Sequence, residues 1–341
     1  MRQRLQDLGK LVKLSRVNRD HRLDSAAFIT FAKFCLFEFF HPRICKNLAN
    51  LVLGLRLFRN TSSRLRCHLF FPALFSISMI DIHCHILPGL DDGPADPEMS
   101  FGMAEMAIED GVTHVIATPH ASPNHEFVPE LVEVRRNELQ ARLQGRLTLA
   151  TGCDFHLSFE NLQHIRQDPS IYTLNQKNYL LVEFADYSIP ASMDQALHDL
   201  HLLGVHPIIT HPERNPLIRA KPDRLFRWLR QGCYSQVTAQ SLSGRFGKAA
   251  QACAEELIEA GAVHFLASDA HNITSRPLRL KVAFDHLVKK HGEEVAQALL
   301  VDNPRAALEG RPLSFVPELD ESLGLSPGAT PQRRRKRFWF F

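Results

Sequence analysis

The stretch "IDIHCHILPGLDDGP", residues 80–94, places two histidines one residue apart and follows them with a pair of aspartates. In an extended strand successive side chains point to opposite faces, so Asp81, His83 and His85 are expected to share one face. The opposite face carries four side chains suited to packing: Ile80, Ile82, Cys84 and Ile86. The stretch therefore predicts a strand with one face for ligands and one face for the core.

The same pattern recurs from Met79 onward, because short apolar runs that end in a polar residue alternate with longer amphipathic segments. Seven runs are predicted strands: "MIDIHCH", "HVIATPH", "LTLATGCD", "YLLVEF", "VHPIITH", "YSQVT" and "VHFLASDAH". The segments between them read as helices, and most end at the glycine expected just past a helix. Alternating strands and helices predict a parallel sheet, either doubly wound or closed into a barrel.

Side chains able to bind metal follow nearly all of these strands, and their distribution favours the barrel. Only a closed barrel brings so many strand ends around one mouth, whereas a doubly wound sheet uses mainly those at its switch point. We therefore predict an α/β fold with a (β/α)7 barrel over about residues 79–312. The candidate metal-binding residues are His83, His85, Asp92, His120, Asp154, Glu183, His211, Asp269 and His271.

Imidazole and carboxylate groups without thiolate suit zinc, manganese or iron. Nine such groups are more than one ion can use, so the sequence predicts a cluster of two or three metal ions. Taken singly, a residue such as His120 or Glu183 is more often an ordinary hydrogen-bonding or ion-pairing group. Taken together, so many charged groups at one mouth without a counter-charge would be costly, which favours metal binding.

Two arginines follow the candidate ligands in sequence and indicate an anionic substrate. Arg214 lies three residues after His211, and Arg276 lies five residues after His271. Guanidinium binds phosphate in a bidentate fork, although either arginine could instead pair with a nearby carboxylate. No cysteine has an arginine six residues later, which excludes a phosphatase with a thiolate nucleophile, and no nucleotide-binding glycine loop is present.

The composition is that of a globular protein, with 341 residues, 45% of them hydrophobic and 23% charged. Seven cysteines without paired spacing suit a reducing compartment, so a cytoplasmic location is expected. Residues 1–78 hold 14 of the 40 basic residues and 4 of the 37 acidic ones, which leaves a net charge of −7 beyond residue 78. That acidic remainder lacks the basic surface expected for nucleic-acid binding.

The segments outside residues 79–312 have no assigned activity. The N-terminal extension contains the apolar run "AAFITFAKFCLFEFF", which two charges interrupt and which is shorter than the roughly 20 residues of a spanning helix. Because Met79 directly precedes the first strand, we favour an upstream start codon assigned in error over a membrane-surface or nucleic-acid arm. Residues 313–341 end in "PQRRRKRFWFF" and are expected to be a disordered tail, with contact to an anionic membrane as the alternative.

Five motifs, "DIHCHILPGLDDGP", "ATPH", "VEF", "ITHPER" and "ASDAHN", resemble the PHP (polymerase and histidinol phosphatase) superfamily. Within it, the chain looks like the bacterial tyrosine-protein phosphatases of the CpsB/CapC type, which are linked to capsular and exopolysaccharide synthesis. The resemblance implies a distorted (β/α)7 barrel with three metal ions, commonly manganese, with zinc, iron or magnesium as alternatives. It further implies hydrolysis of phosphotyrosine on the tails of bacterial tyrosine kinases, by attack of a metal-activated water.

Carried over residue by residue, the resemblance makes the candidate residues metal ligands, Arg214 a phosphate-binding group and Arg276 a second anchor. It is less close at Asp154, where the family has a glutamate that is one methylene longer. Two alternatives stay open: another PHP phosphoesterase, such as a histidinol-phosphatase, and a non-catalytic module that binds metal or phosphotyrosine. The sequence does not define the oligomeric state.

Overall fold

Parallel strands form the centre of the chain in a computed structural model, which describes residues 78–320. The strands are β1 (Met79–Cys84), β2 (Val112–Ala117), β3 (His120–Ala121), β4 (Thr148–Thr151), β5 (Asp154–His156), β6 (Tyr179–Glu183), β7 (His206–Thr210), β8 (Tyr234–Thr238) and β9 (Phe265–Ala267). Every neighbouring pair is parallel, in the orders β1-β2-β4 and β3-β5-β6-β7-β8-β9.

The nine strands form seven strands of the barrel, because β2 continues into β3 and β4 continues into β5 after two-residue interruptions. Proline, which has no N–H to donate, lies at the first break as Pro119. The hydrogen-bond ladder nevertheless runs across both breaks: Gly152 N–H donates to Ala117 O at 2.9 Å, and Asp154 N–H donates to Pro119 O at 3.1 Å. The seven predicted strands are thus confirmed, each interruption falling inside one of them.

Backbone contacts between β1 and the end of β9 close the sheet into a barrel. His85 N–H donates to Ala270 O at 2.9 Å, and Asp269 N–H donates to His83 O at 2.8 Å. The buried carboxylate of Asp81, on β1, accepts hydrogen bonds from the Ser268 N–H and hydroxyl. The predicted α/β barrel is therefore confirmed, and its seam lies between two strands that carry candidate ligands.

Helices surround the barrel: α1 (Pro97–Glu109), α2 (Pro129–Leu143), α3 (Phe159–Ile165), α4 (Ser192–Leu202), α5 (Pro216–Ala220), α6 (Pro222–Arg230), α7 (Lys248–Glu259), α8 (Lys281–His291), α9 (Glu293–Gln297), a π-helical turn (Ala298–Asp302) and α10 (Asn303–Glu309). Short 3₁₀ turns span Pro169–Ile171, Leu174–Gln176 and Ala239–Ser241. Helix α1 begins at the Asp96-Pro97 pair, because Asp96 caps the helix by accepting hydrogen bonds from the backbone N–H groups of Glu98 and Met99.

Two buried apolar clusters lie on the two sides of the strands. Ile80 and Ile82 belong to a cluster made mainly of strand residues, which fills the barrel interior. Cys84 and Ile86 belong to the larger cluster shared with the helices. The simple alternation predicted for this stretch is therefore wrong beyond Ile82, because a register shift between Asp81 and Cys84 turns the end of β1.

The polypeptide after α10 stays attached to the barrel beyond residue 312. The Asn303 side-chain amide donates a hydrogen bond to the Phe315 carbonyl and accepts one from the Phe315 N–H. Leu319 packs against the core, and Asp320 N–H donates to Ala260 O at 2.9 Å. The first eight residues of the predicted tail are thus held in place, while residues 321–341 and the extension at residues 1–77 lie outside the described residues. Across residues 78–320, no helix has the length and apolar character needed to cross a membrane.

Candidate metal centre

The carboxyl ends of the strands bring all nine candidate ligands to one mouth of the barrel. Three groups place their ligand atoms within 4.8 Å of one another. The groups are His85, Asp92, His120 and His271; His83, His85 and Asp154; and His120, Asp154 and Glu183. Because these groups share members, they form one continuous cluster with room for more than one cation.

Asp154 lies at the middle of the cluster. One of its oxygens, Oδ2, is 3.4 Å from His83 Nε2 and 3.3 Å from His120 Nδ1. His120 Nδ1 is also 3.6 Å from Glu183 Oε2. The Asp154 carboxylate thus faces two of the three ligand groups at once.

Several polar atoms of the cluster are buried and have no hydrogen-bond partner among the described residues. They include both carboxylate oxygens of Asp154, Nδ1 of His120 and Nε2 of His271. A buried polar atom without a partner costs free energy, and a buried carboxylate costs more. Divalent cations are the partners that this set of imidazole and carboxylate atoms suits, so the residues present fit a metal centre.

His211 and Asp269 border the cluster rather than belong to its three groups. His211 Nε2 is 3.4 Å from Glu183 Oε1, and Asp269 Oδ1 is 3.4 Å from His83 Nε2. Both residues have left-handed backbone conformations, with φ of 33° and 50°. Such conformations are strained for residues other than glycine and persist where the surrounding structure fixes them, often at functional sites.

Two side chains that sequence reasoning did not select orient the histidines. Asp91 Oδ2 is 2.7 Å from His85 Nδ1 and accepts a hydrogen bond from the backbone N–H of His120 at 3.0 Å. Gln236 Oε1, on β8, is 2.9 Å from His83 Nδ1. Each contact leaves Nε2 of its histidine facing the cluster, as outer partners of metal-binding histidines commonly do. The signal for Asp91 was its place in the "DDG" sequence, where only Asp92 was chosen.

The electrostatic balance of the cluster favours added positive charge. Burial alone would raise the pKa of Asp269, but His83, His85 and the two arginines hold that pKa well below its usual range. Burial would lower the pKa of His85, yet Asp91 and Asp269 raise it well above its usual value. In His271, by contrast, burial and the neighbouring His85 lower the pKa to about 4, so this imidazole stays neutral and able to bind metal.

Arg214 and Arg276 both reach the mouth, as predicted, and both contact Asp269 Oδ2. Arg214 also lines a cavity of about 340 Å³ together with Glu183 and His211, and its guanidinium lies 4.4 Å from the centre of the Phe246 ring. Arg214 thus places positive charge at both the cluster and an adjoining pocket, where a phosphate group could be held, while Arg276 adds positive charge at Asp269.

Two histidines left unassigned from the sequence lie beside the cluster. His156 Nδ1 is 3.8 Å from Glu183 Oε2, and its side chain lines the same cavity as Arg214. The His125 ring stacks on the His120 ring with 5.7 Å between centroids. His114, His201, His206 and His264 belong to none of the three ligand groups, as expected.

Comparison with known proteins agrees with this geometry. Residues 79–309 match the family model described as "Capsular polysaccharide synthesis, CpsB/CapC". The chain belongs to the CpsB/CapC family. It is 36% identical over 267 residues to the tyrosine-protein phosphatase YwqE of Bacillus subtilis, covering 77% of this chain and all of that protein. It is 31% identical to the tyrosine-protein phosphatase CpsB of Streptococcus pneumoniae, covering 67% of this chain and 97% of that one.

A solved structure shows the same relationship in three dimensions. It comes from a study of YwqE and CpsB described as "unique metal-dependent tyrosine phosphatases", and it superposes with a TM-score of 0.66 at 35% identity. The match covers 71% of this chain and 99% of the solved chain. The CpsB/CapC fold of this chain therefore spans nearly the whole length of its structural relative.

Proposed function

We propose that this CpsB/CapC chain is a metal-dependent protein-tyrosine phosphatase that hydrolyses phosphotyrosine. The observation that carries the proposal is the mouth cluster, in which seven candidate ligands form the three groups, His211 and Asp269 border them, and both buried oxygens of Asp154 lack a hydrogen-bond partner. A family member that had become a non-catalytic module would be expected to lack ligands. The names of YwqE and CpsB supply the substrate class.

Two or three manganese ions would be held by the nine residues predicted from the sequence. His85, His120 and Asp154 would lie at the junctions, because each belongs to two of the three ligand groups. Bound divalent ions supply Lewis acidity, which lowers the pKa of a water molecule and offsets charge on phosphate. The absence of cysteine from the three groups is consistent with a hard ion such as manganese, with zinc, iron or magnesium as the alternatives.

The chain's own residues would hold the phosphate and keep the histidines in place. Arg214 and Arg276 would bind the non-bridging oxygens, releasing part of their contact with Asp269, and stabilise charge there during the reaction. Asp91 and Gln236 would keep His85 and His83 oriented toward the cluster. None of these steps needs a covalent phosphoenzyme, which fits a mouth whose ligand groups contain no cysteine.

The proposed physiological substrate is the phosphorylated tail of a bacterial tyrosine kinase, acting in capsule or exopolysaccharide regulation in the cytoplasm. The family description supports the link to capsule synthesis. The four cysteines within the described residues, Cys84, Cys153, Cys233 and Cys253, are all free and buried, as in proteins of a reducing compartment.

The proposal is tested by phosphate release from a phosphotyrosine peptide and from histidinol phosphate. The full-length protein would be stripped with chelator, assayed, and assayed again after manganese is added. We expect restored activity on the peptide, and loss of that activity in His211→Ala with an unchanged far-ultraviolet circular dichroism spectrum. Preference for histidinol phosphate, or no hydrolysis of either substrate, would contradict the proposal.

A further inference from the structure

The cavity beside the metal cluster has one aromatic wall that the proposed chemistry does not use. Glu183, His211 and Arg214, which belong to the metal site, line this cavity together with Phe246. Its volume of about 340 Å³ is at the lower end of the range typical of small-ligand pockets, roughly 300–1,000 Å³. A group attached to a phosphate held by Arg214 would therefore extend into this cavity.

Phe246 is not a core residue. Within residues 78–320 it is absent from both apolar clusters and from the partly buried side chains packed against them. Its ring is only partly buried, and the ring contact that it makes is with the Arg214 guanidinium, 4.4 Å from the ring centre. Phe184, the other aromatic residue of the cavity, differs because it is buried and stacked on Trp228 at 4.9 Å.

The loop that carries Phe246, residues 242–247, is held in place on both sides. Gly244 and Gly247 flank the residue pair Arg245-Phe246 with φ of 78° and 88°, a conformation that favours glycine. The Arg245 guanidinium donates hydrogen bonds to Thr274 O at 2.7 Å and Ser275 O at 2.5 Å. Phe246 is thus anchored to the loop that also carries Arg276, so its position relative to the phosphate-binding arginines is fixed.

We propose that Phe246 recognises the aromatic ring of the leaving group and makes the site selective for aryl over alkyl phosphate monoesters. This inference rests on the proposed phosphatase function and assigns its substrate specificity to one side chain. Arg214 covers the Phe246 ring on one side while its N–H groups face the cluster, so a ring attached to the bound phosphate comes to lie beside the exposed part of Phe246. Pairs of aromatic rings prefer such offset or edge-to-face contacts.

The expected effect follows from the usual strength of an aromatic pair. Contacts between two rings contribute enough beyond burial to change an equilibrium constant by about 3- to 10-fold. An aromatic ring on a phosphate ligand adds affinity, and in Phe246→Leu this gain should be about 3- to 10-fold smaller than in wild type. Phe246→Trp should keep that added affinity, because it keeps an aromatic face at the same position.

The test uses two non-hydrolysable probes and the full-length, manganese-loaded protein. Titration calorimetry would give Kd values for benzylphosphonate and for methylphosphonate, and their ratio measures what the ring adds to binding. In wild type we expect benzylphosphonate to bind more tightly, and in Phe246→Leu we expect the ratio to fall about 3- to 10-fold with little change for methylphosphonate. Phe101→Leu is the matched control, because Phe101 also lies under a guanidinium, that of Arg142, at 4.5 Å but is outside this cavity.

Each other outcome has a defined meaning. An unchanged ratio in Phe246→Leu would overturn the inference, since the ring of the ligand would then not contact Phe246. Equal weakening of both probes would also overturn it, because Phe246 would then only position Arg214. If both probes bind and show the expected ratio but a phosphotyrosine peptide is not hydrolysed, the proposed phosphatase function fails while ring recognition stands. If wild type binds neither probe, both fail.

Discussion

Asp154 is the residue on which the metal assignment depends most. Its two buried oxygens lack hydrogen-bond partners, and it belongs to two of the three ligand groups. Asp154→Asn keeps the shape but removes the charge, so we expect at least one manganese ion fewer per chain by mass spectrometry. Phosphotyrosine hydrolysis should fall by more than about 100-fold, beyond the 10- to 100-fold effects typical of outer-sphere changes. Asp154→Glu, which restores the length usual in the family, is the control; full metal content in Asp154→Asn would contradict the assignment.

Asp91 shows where residue-level reasoning from the sequence reached its limit. The "DDG" sequence offers two carboxylates, and spacing alone does not tell which faces the metal and which supports the histidines. Only the folded loop decides: the side chain of Asp91 turns inward to the Gly93 N–H, His85 and His120, while that of Asp92 is half exposed beside His271. The same limit explains why Gln236 was read as an ordinary strand residue.

Removing the Asp91 carboxylate should weaken metal binding without removing a ligand. In Asp91→Ala the His85 ring loses the group that orients it, so manganese affinity should fall about 10- to 100-fold. Competition with a fluorescent chelator would measure this affinity. The control is Asp96→Ala, another aspartate of the same loop that accepts backbone N–H groups, at the start of α1. An equal loss of metal affinity in both variants would show that the effect is one of loop stability.

At the level of elements, the strand pattern was predictable because most strands are largely buried and polar residues lie at or just beyond the ends of nearly all of them. The positions at which two strands are interrupted were not predictable, since Pro119 and Gly152 interrupt the strand geometry while the hydrogen-bond ladder continues beyond them. The turn at the end of β1 was also hidden, because a register shift depends on the partner strand. Four helices, α3, α5, α9 and α10, have seven residues or fewer, too few for a full amphipathic pattern to show in the sequence.

The seam between β1 and β9 should be a point of stability. The Ser268 hydroxyl donates to the buried Asp81 carboxylate, and burial raises the pKa of Asp81 to about 6. Loss of a hydrogen bond to a charged group costs about 1.5–3 kcal/mol, so Ser268→Ala should lower the free energy of unfolding by about 2 kcal/mol in urea at pH 7.5 with chelator present. Ser235→Ala, which removes a bond to the neutral Ala262 carbonyl, should cost only about 1 kcal/mol. Equal losses of unfolding free energy in Ser268→Ala and Ser235→Ala would argue against a charged Asp81 carboxylate at the seam.

For the whole molecule, closure of the barrel was predictable from ligand-type residues at the ends of nearly all strands. The contacts that close the opposite end of the barrel were not predictable, because they depend on the chain after α10. Tyr179 donates its hydroxyl proton to Arg311 O at 2.8 Å, and Ala307 joins the interior cluster. The Tyr179–Arg311 hydrogen bond joins residues 132 positions apart, a separation that no local sequence pattern encodes.

The free energy of unfolding of the whole domain should depend on pH through one buried histidine that lies away from the metal cluster. Burial lowers the pKa of His264 to about 4, against about 6.5 in an unfolded chain. Between these values the unfolded state binds a proton that the folded state does not, so stability is lost as the pH falls, by up to about 1.4 kcal/mol per pH unit. His264→Asn keeps an acceptor for the Ser235 N–H but cannot titrate.

Urea denaturation with chelator present, at pH 7 and pH 5, would measure this difference. The free energy of unfolding of wild type should fall by roughly 2 kcal/mol more than that of His264→Asn between these two values. If the free energies of unfolding of wild type and His264→Asn differ by the same amount at pH 7 and pH 5, His264 titrates alike in the folded and unfolded states, which would contradict the prediction.

We expect the mouth of the barrel to hold two or three metal ions, with Asp154 as a shared ligand. The most direct measurement is an anomalous difference map from a crystal of the manganese-loaded protein, recorded at the manganese absorption edge. We expect at least two peaks at the mouth, with Asp154 coordinating two of them and His83, His120 and Glu183 among the other ligands. A protein that hydrolyses phosphotyrosine peptide but shows no anomalous peak beside Asp154 would contradict it.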